Sequence, residues 1–288
     1  MKIGLHDHES KKYPNLALMK LSAFHKSSGD VVEWYEPGGD YDKVYSSKVF
    51  TWGEIDPDLP NDVIMGGTGF DLDVTLESVV EAQCPDYELY GVRRSYGFLT
   101  RGCIRKCKDC FVPKKEGAIR RAADISEFLR HDSVTLMDNN VLAHPHGISQ
   151  IEKLIELRVR VDFNQGLDAR LIDNSVAKLL SKVRWHPELR LACDSVESMD
   201  AVTRAVSLLR WHNVSPKRLF CYVLSKDFES TYSRVKMLKG LYVDPFVQTL
   251  RNRDDSFVPT KEMMDLKRYV NNRRIFRSCS FEDYKRLS

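Results

Sequence analysis

The residue pattern predicts an α/β protein in two unequal parts, with a small doubly wound α/β (Rossmann-like) domain over residues 1–89 and six successive β/α units over 90–258. A basic helical tail is expected over 259–288. Three observations carry this division. Short apolar runs alternate with stretches of helical period along most of the chain. Charge changes near residue 89: the front holds 7 Lys or Arg against 17 Asp or Glu, so a chain of net charge +3 divides into −10 and +13. Three closely spaced cysteines open the second part.

In the front part, Lys2-Ile3-Gly4-Leu5, Val31-Val32-Glu33-Trp34-Tyr35, Lys43-Val44-Tyr45-Ser46 and Asp62-Val63-Ile64-Met65-Gly66-Gly67 read as short strands. Residues 16–25 carry a helical pattern between the first two. The boundary is expected at Cys84-Pro85-Asp86-Tyr87, where a helical pattern runs into a proline turn. Beyond it, residues 96–100 form the first strand and lead into the cysteines. Helical stretches over 118–130, 148–157, 172–183, 199–211 and 228–238 then precede strands over 134–137, 159–165, 189–195, 218–224 and 242–248. Strands so regularly separated by helices predict parallel winding. No stretch approaches the roughly 20 apolar residues of a membrane span, and no apolar leader precedes His6-Asp7-His8-Glu9, so a cytoplasmic protein is expected.

The run Gly102-Cys103-Ile104-Arg105-Lys106-Cys107-Lys108-Asp109-Cys110-Phe111 spaces its thiols C-x3-C-x2-C. Three thiolates from one loop suit three irons of a 4Fe-4S cluster and leave the fourth iron without a protein ligand. A zinc site would call for a fourth Cys or His nearby, and Cys84, Cys193, Cys221 and Cys279 each stand alone. Zinc and ordinary buried thiols remain the weaker readings. A disulfide framework fits an odd cysteine count in a long chain poorly.

This cysteine loop, set after an apolar run and before a helical pattern, resembles the signature of the radical S-adenosylmethionine (radical SAM) superfamily. The resemblance implies a partial parallel (β/α)6 barrel, a 4Fe-4S cluster on Cys103, Cys107 and Cys110, and SAM chelated to the open iron. It also implies reductive cleavage of SAM to a 5′-deoxyadenosyl radical and a flavodoxin or ferredoxin-type electron donor. Two departures from the family pattern stand out. Asp109 occupies the place of an aromatic residue next to the third cysteine, with Phe111 just after. Asp138-Asn139-Asn140 replaces Gly-Gly-Glu after the second strand, offering acceptors to the methionyl ammonium.

Barrels of this kind place chemistry at the carboxyl ends of their strands, and polar residues fall there. Asp138 and Asn139 close the second strand, Gln165 the third, Asp194 and Ser195 the fourth and Ser225 the fifth. By similarity to the family, the second strand's end meets the methionyl amine and the fourth's the ribose or carboxylate. The fifth strand, with Val223, and the sixth flank adenine. Asp, Asn and Ser are equally favoured as turn and helix caps. Arg170 fits a carboxylate of SAM or substrate, or pairs with Asp168 or Asp173. Cys193 and Cys221, alternating with bulky apolar residues, read as buried hydrophobes, and Cys279 as a spectator thiol.

The front domain resembles those of cobalamin-dependent radical SAM enzymes and methylthiotransferases. Cobalamin is disfavoured, since His6-Asp7-His8-Glu9-Ser10-Lys11 lacks the order Asp-x-His-x-x-Gly, although Gly66-Gly67-Thr68-Gly69 resembles a later glycine pair. Methylthiolation needs three further cysteines, and only Cys84 precedes Cys103. Between residues 90 and 125 ten Lys or Arg face three acids. Such a surface suits an acidic electron carrier or a phosphate-bearing substrate: RNA, a phosphorylated metabolite, or alternatively a peptide. Tyr269 and Phe276 among the tail's cations resemble a single-strand platform, or else sit on a solvated helix. The expected function is hydrogen abstraction from a substrate after SAM cleavage. The alternatives are an iron-sulfur or zinc nucleic-acid-binding sensor without SAM chemistry and a cobalamin-dependent radical SAM methyltransferase.

Overall fold

Ile3 and Leu5 are fully buried in β1 (Lys2–Asp7), one of the two inner strands of a four-stranded parallel sheet. The computed structural model describes residues 1–11, 13–52, 54–215, 219–251 and 256–287, the last three as backbone. Arg218 and Ser288, assigned above to the fifth strand and the tail, lie outside the described residues. After β1, α1 (Leu16–Ser27) starts at Asn15, whose side chain accepts from the Ala17 and Leu18 amides. The apolar stripe of α1, with Leu18 and Leu21, covers Ile3 and Leu5. Then come β2 (Val31–Trp34), β3 (Lys43–Ser47), β4 (Ile64–Gly66) and the one-turn α2 (Ser78–Glu81). The sheet order β2-β1-β3-β4 places the chain's reversal of direction between β1 and β3.

The second part runs β5 (Ser95–Gly97), β6 (Thr100–Arg101), α3 (Val112–Lys115), β7 (Arg120–Arg121), α4 (Ile125–Phe128), β8 (Ser133–Leu136), α5 (Pro145–Glu156) and β9 (Arg160–Phe163). It continues with α6 (Asn174–Leu180), β10 (Arg184–Trp185), β11 (Leu189–Ala192), α7 (Met199–Trp211), β12 (Leu219–Ser225), α8 (Phe228–Gly240) and β13 (Asp244–Thr249). Two parallel sheets result, β10-β9-β8-β5 and β11-β12-β13, and a parallel bridge between Leu167 and Leu191 links them where β9 leaves off. Apart from the short β10, the strands stand side by side in chain order. The protein is therefore mixed α/β with parallel sheets, and one apolar core of Val134, Leu136, Val161, Leu191, Val223 and Val247 runs through this part.

The helix expected over 118–130 is mostly absent. Arg120–Arg121 instead pairs antiparallel with Thr100–Arg101, and the Ala122 amide bonds Leu99 O at 2.9 Å. The Asp124–Glu127 capping box delays the helix to Ile125, and Leu129 is already extended. Arg184–Trp185 is a strand that the pattern did not suggest, too short to carry a period.

The tail is three helices, α9 (Lys261–Asn271), α10 (Arg273–Ser278) and α11 (Phe281–Leu287). It is no loose cationic arm. Tyr269 and Phe276 are only 2% and 3% exposed and belong to the main core, which removes them as a stacking platform. Arg273 pairs with Glu188, and Arg277 with Asp244. Among the described residues no helix is long and apolar enough to cross a membrane.

Candidate metal and cofactor site

The loop bearing the three cysteines is stapled at its neck. Gly102 sits at φ +79°, and a Cβ there would lie 2.3 Å from Ala118 O, so only glycine lets the two strands of the neck approach. Glu116 closes it. Its carboxylate takes the Gly102 amide (2.8 Å), the Asn139 amide nitrogen Nδ2 (2.8 Å) and Arg101 Nη1 (2.9 Å), and the Cys103 amide bonds Gly117 O at 3.2 Å. Thus Asn139 acts as a loop fastener.

Cys103 is half-buried while Cys107 and Cys110 are exposed, and all seven cysteines are free thiols. The Cys103 sulfur faces two donors, the Arg105 amide at 3.3 Å and Asn140 Nδ2 at 3.6 Å. Desolvation raises the pKa of the Cys110 thiol, and Cys107, Cys103 and Asp194 raise it further. Among the described residues no three His, Cys, Asp or Glu converge as on a single shared ion. Ligands of a cubane each take a different iron and need not converge. The donor set fits such a cluster: three accessible sulfurs on one stapled loop, with N–H groups aimed at a sulfur and cations around them.

Asp168, which sequence reasoning treated only as a partner of Arg170, is the hub joining this loop to the strand ends. Its buried carboxylate binds Arg105 Nε at 2.9 Å, Arg170 Nε at 2.6 Å and Asn140 Nδ2 at 3.3 Å. Arg170 is accordingly ion-paired, and that bond raises its pKa more than its smaller interactions with Cys107 and Cys103 do. On the far side of the loop Asp109 pairs with Lys226, just past β12. Phe111 is exposed on the surface.

Asp138 is spent on architecture. It is 4% exposed and accepts from the Thr100 amide (2.6 Å), Thr100 Oγ1 (2.7 Å) and the Leu99 amide (3.2 Å), pinning the chain just ahead of the cysteines. Burial nonetheless raises its pKa to about 6. Its neighbour Asn140, 4% exposed, keeps a carbonyl oxygen Oδ1 that is buried and has no hydrogen-bond partner. No sequence signal separated it from Asp138 and Asn139.

A cavity of about 1870 Å³ opens at the carboxyl ends of the parallel strands and runs beneath the front domain. Gln165 and Asp194 line it, with Met137, Leu224 and Gln248. Asp194 accepts the Leu224 amide at 3.1 Å, and desolvation by the cavity walls raises its pKa. Ser195 caps a 3-10 turn, its carbonyl taking Ser198 Oγ at 2.6 Å. Val223 and Ser225 are fully buried, and Ser225 Oγ accepts from Thr231 at 3.1 Å. Strand alternation turns Tyr222 and Leu224 to the cavity instead.

At the β1/β3 crevice the front domain fills its own loops. A Cβ on Gly67 would lie 2.2 Å from Lys48 O, and Glu9 Oε1 accepts the Val49 and Phe50 amides at 3.0 and 3.2 Å. His6 is held by Ser46 Oγ at 2.8 Å and faces Asp56 at 3.4 Å. Gly67 thus serves close packing of its own backbone. No protein-family model matches the chain, and no curated protein matches it.

Proposed function

We propose that this is a radical SAM enzyme whose second part is an open (β/α)6 barrel, with Cys103, Cys107 and Cys110 holding a 4Fe-4S cluster. The observation that carries the reading is the loop of Cys103, Cys107 and Cys110, closed at its neck by Glu116 and tied to the strand ends by Asp168, with Asn140 Nδ2 contacting the Cys103 sulfur. Strands standing in chain order with a cavity at their carboxyl ends support the same reading.

When bound, the cluster supplies the electron that cleaves the sulfonium of SAM to a 5′-deoxyadenosyl radical. The chain's own residues do the rest. Asn140 steadies the Cys103 sulfur through its Nδ2. Asp194 and Gln165 face the cavity as acceptors and donors for the nucleoside, with Leu224 and Tyr222 as its apolar wall. Asp168 holds Arg105, and so the cysteine loop, over the strand ends, and the front domain limits water above. Lys106 and Lys108 beside the exposed Cys107 suit an acidic flavodoxin or ferredoxin-type donor.

The test is anaerobic reconstitution with iron and sulfide, followed by chromatography for 5′-deoxyadenosine after adding SAM and dithionite. Iron bound in a cluster together with 5′-deoxyadenosine is the expected result. A cluster that never cleaves SAM favours an iron-sulfur sensor, and no cluster at all ends both.

A further inference from the structure

Two arginines act on the carboxylate of Asp162, and only one of them pairs with it. Arg190 forms an ion pair with Asp162 and reaches Asn164 Oδ1 at 3.2 Å. Arg94 has a single hydrogen bond, from Nη1 to the neutral Thr135 Oγ1 at 3.3 Å, and no ion pair among the described residues. Its action on Asp162 is only at longer range. Arg94 lines the cavity with Tyr96, Thr135, Asp162, Asn164 and Tyr222.

A guanidinium carries five N–H donors in a planar fork, and Arg94, on the cavity lining, uses one of them among the described residues. Water satisfies them singly, whereas an oxyanion takes two at once and is strengthened by the low dielectric of the walls. The charge of Arg94, without an ion pair among the described residues, matches one anionic group.

We infer that Arg94 is the anchor of a substrate subsite that takes one oxyanion group, carboxylate or phosphate, of a small molecule whose remainder extends upward to the strand ends. Its role as a substrate subsite rests on the radical SAM reading; binding of the anion itself needs neither cluster nor SAM.

The full-length protein is titrated with inorganic phosphate, followed by phosphorus NMR, and with acetate, followed by calorimetry, to distinguish the two sources. Saturable binding of at least one probe is expected, weakened roughly tenfold in Arg94→Gln and partly restored in Arg94→Lys, as fits loss of a charge-assisted fork. Circular dichroism and thermal unfolding establish that both variants are folded. Equal affinity in Arg94→Gln, or no binding of either probe to the wild type, overturns the subsite. Anion binding lost in Arg94→Gln by a protein that forms no cluster upholds the anion site while ending the radical SAM reading.

Discussion

Asp138 and Asn140 sit two residues apart in a polar run that reads as a single feature, yet burial gives them opposite uses. Asp138 is fully engaged by Thr100 and Leu99, whereas Asn140 keeps a free acceptor. The Asp138 pKa is raised to about 6, so the folded state binds its proton more tightly than the unfolded chain does. This group's stabilisation is present below the unfolded value near 4 and is lost as pH rises through about 6, by roughly 3 kcal/mol. Urea unfolding of wild type and Asp138→Asn between pH 4 and 7 checks it, with roughly these limits taken from the two pKa values. The variant should lack that downward slope and be less stable at low pH by roughly 1–3 kcal/mol, because its amide cannot accept from Leu99. A second prediction concerns the exposed Cys107: Cys107→Ala should abolish the reconstituted cluster's visible absorption while thermal unfolding of the metal-free protein stays unchanged. Loss of stability instead would mean that the thiol is part of the packing.

Among the elements, α9 illustrates how a helix can finish a sheet. Asn271, its last residue, presents Oδ1 to the Val247 amide at 2.8 Å and Nδ2 to the Val247 carbonyl at 3.0 Å. A side-chain amide thereby stands in for a neighbouring strand at the open edge of β13, blocking pairing with another chain. Asn271→Leu leaves both backbone groups without partners and should cost about 2–5 kcal/mol, measured by denaturant unfolding. A cost below about 0.5 kcal/mol would show that water replaces the amide. Helix existence was legible in α7 and α8, where the apolar period is long, and the observed α7 spans the residues the pattern indicated. It was not legible at 118–130, because the pairing of Arg120–Arg121 with Thr100–Arg101 is a contact across the cysteine loop.

Across the whole molecule, the acidic front and the basic remainder are tied by specific polar contacts. Tyr90 donates to the buried Asp7 at 2.7 Å, and Glu81 of α2 binds both Lys20 and Arg101 at 3.0 Å. The second contact runs on through Arg101 to Glu116 and thus to the neck of the cysteine loop. Tyr90→Phe should strip Asp7 of a donor and destabilise the protein by about 1–3 kcal/mol. Hydrogen exchange should then quicken first in β1. Exchange that quickens uniformly would show that the two parts unfold as one.

What the sequence by itself determined is local in origin: the parallel α/β class, the change of charge near residue 89, and three thiols on one loop, since each follows from composition, spacing and period along the chain. Only the tertiary structure decided which polar residues face the cavity. It buried Ser225, spent Asp138 on Thr100, paired Arg170 with Asp168 and left Arg94 and Asn140 with groups unmet. The physical reason is that satisfaction of a polar group depends on partners far away in sequence, and those partners are chosen only when the strands come together.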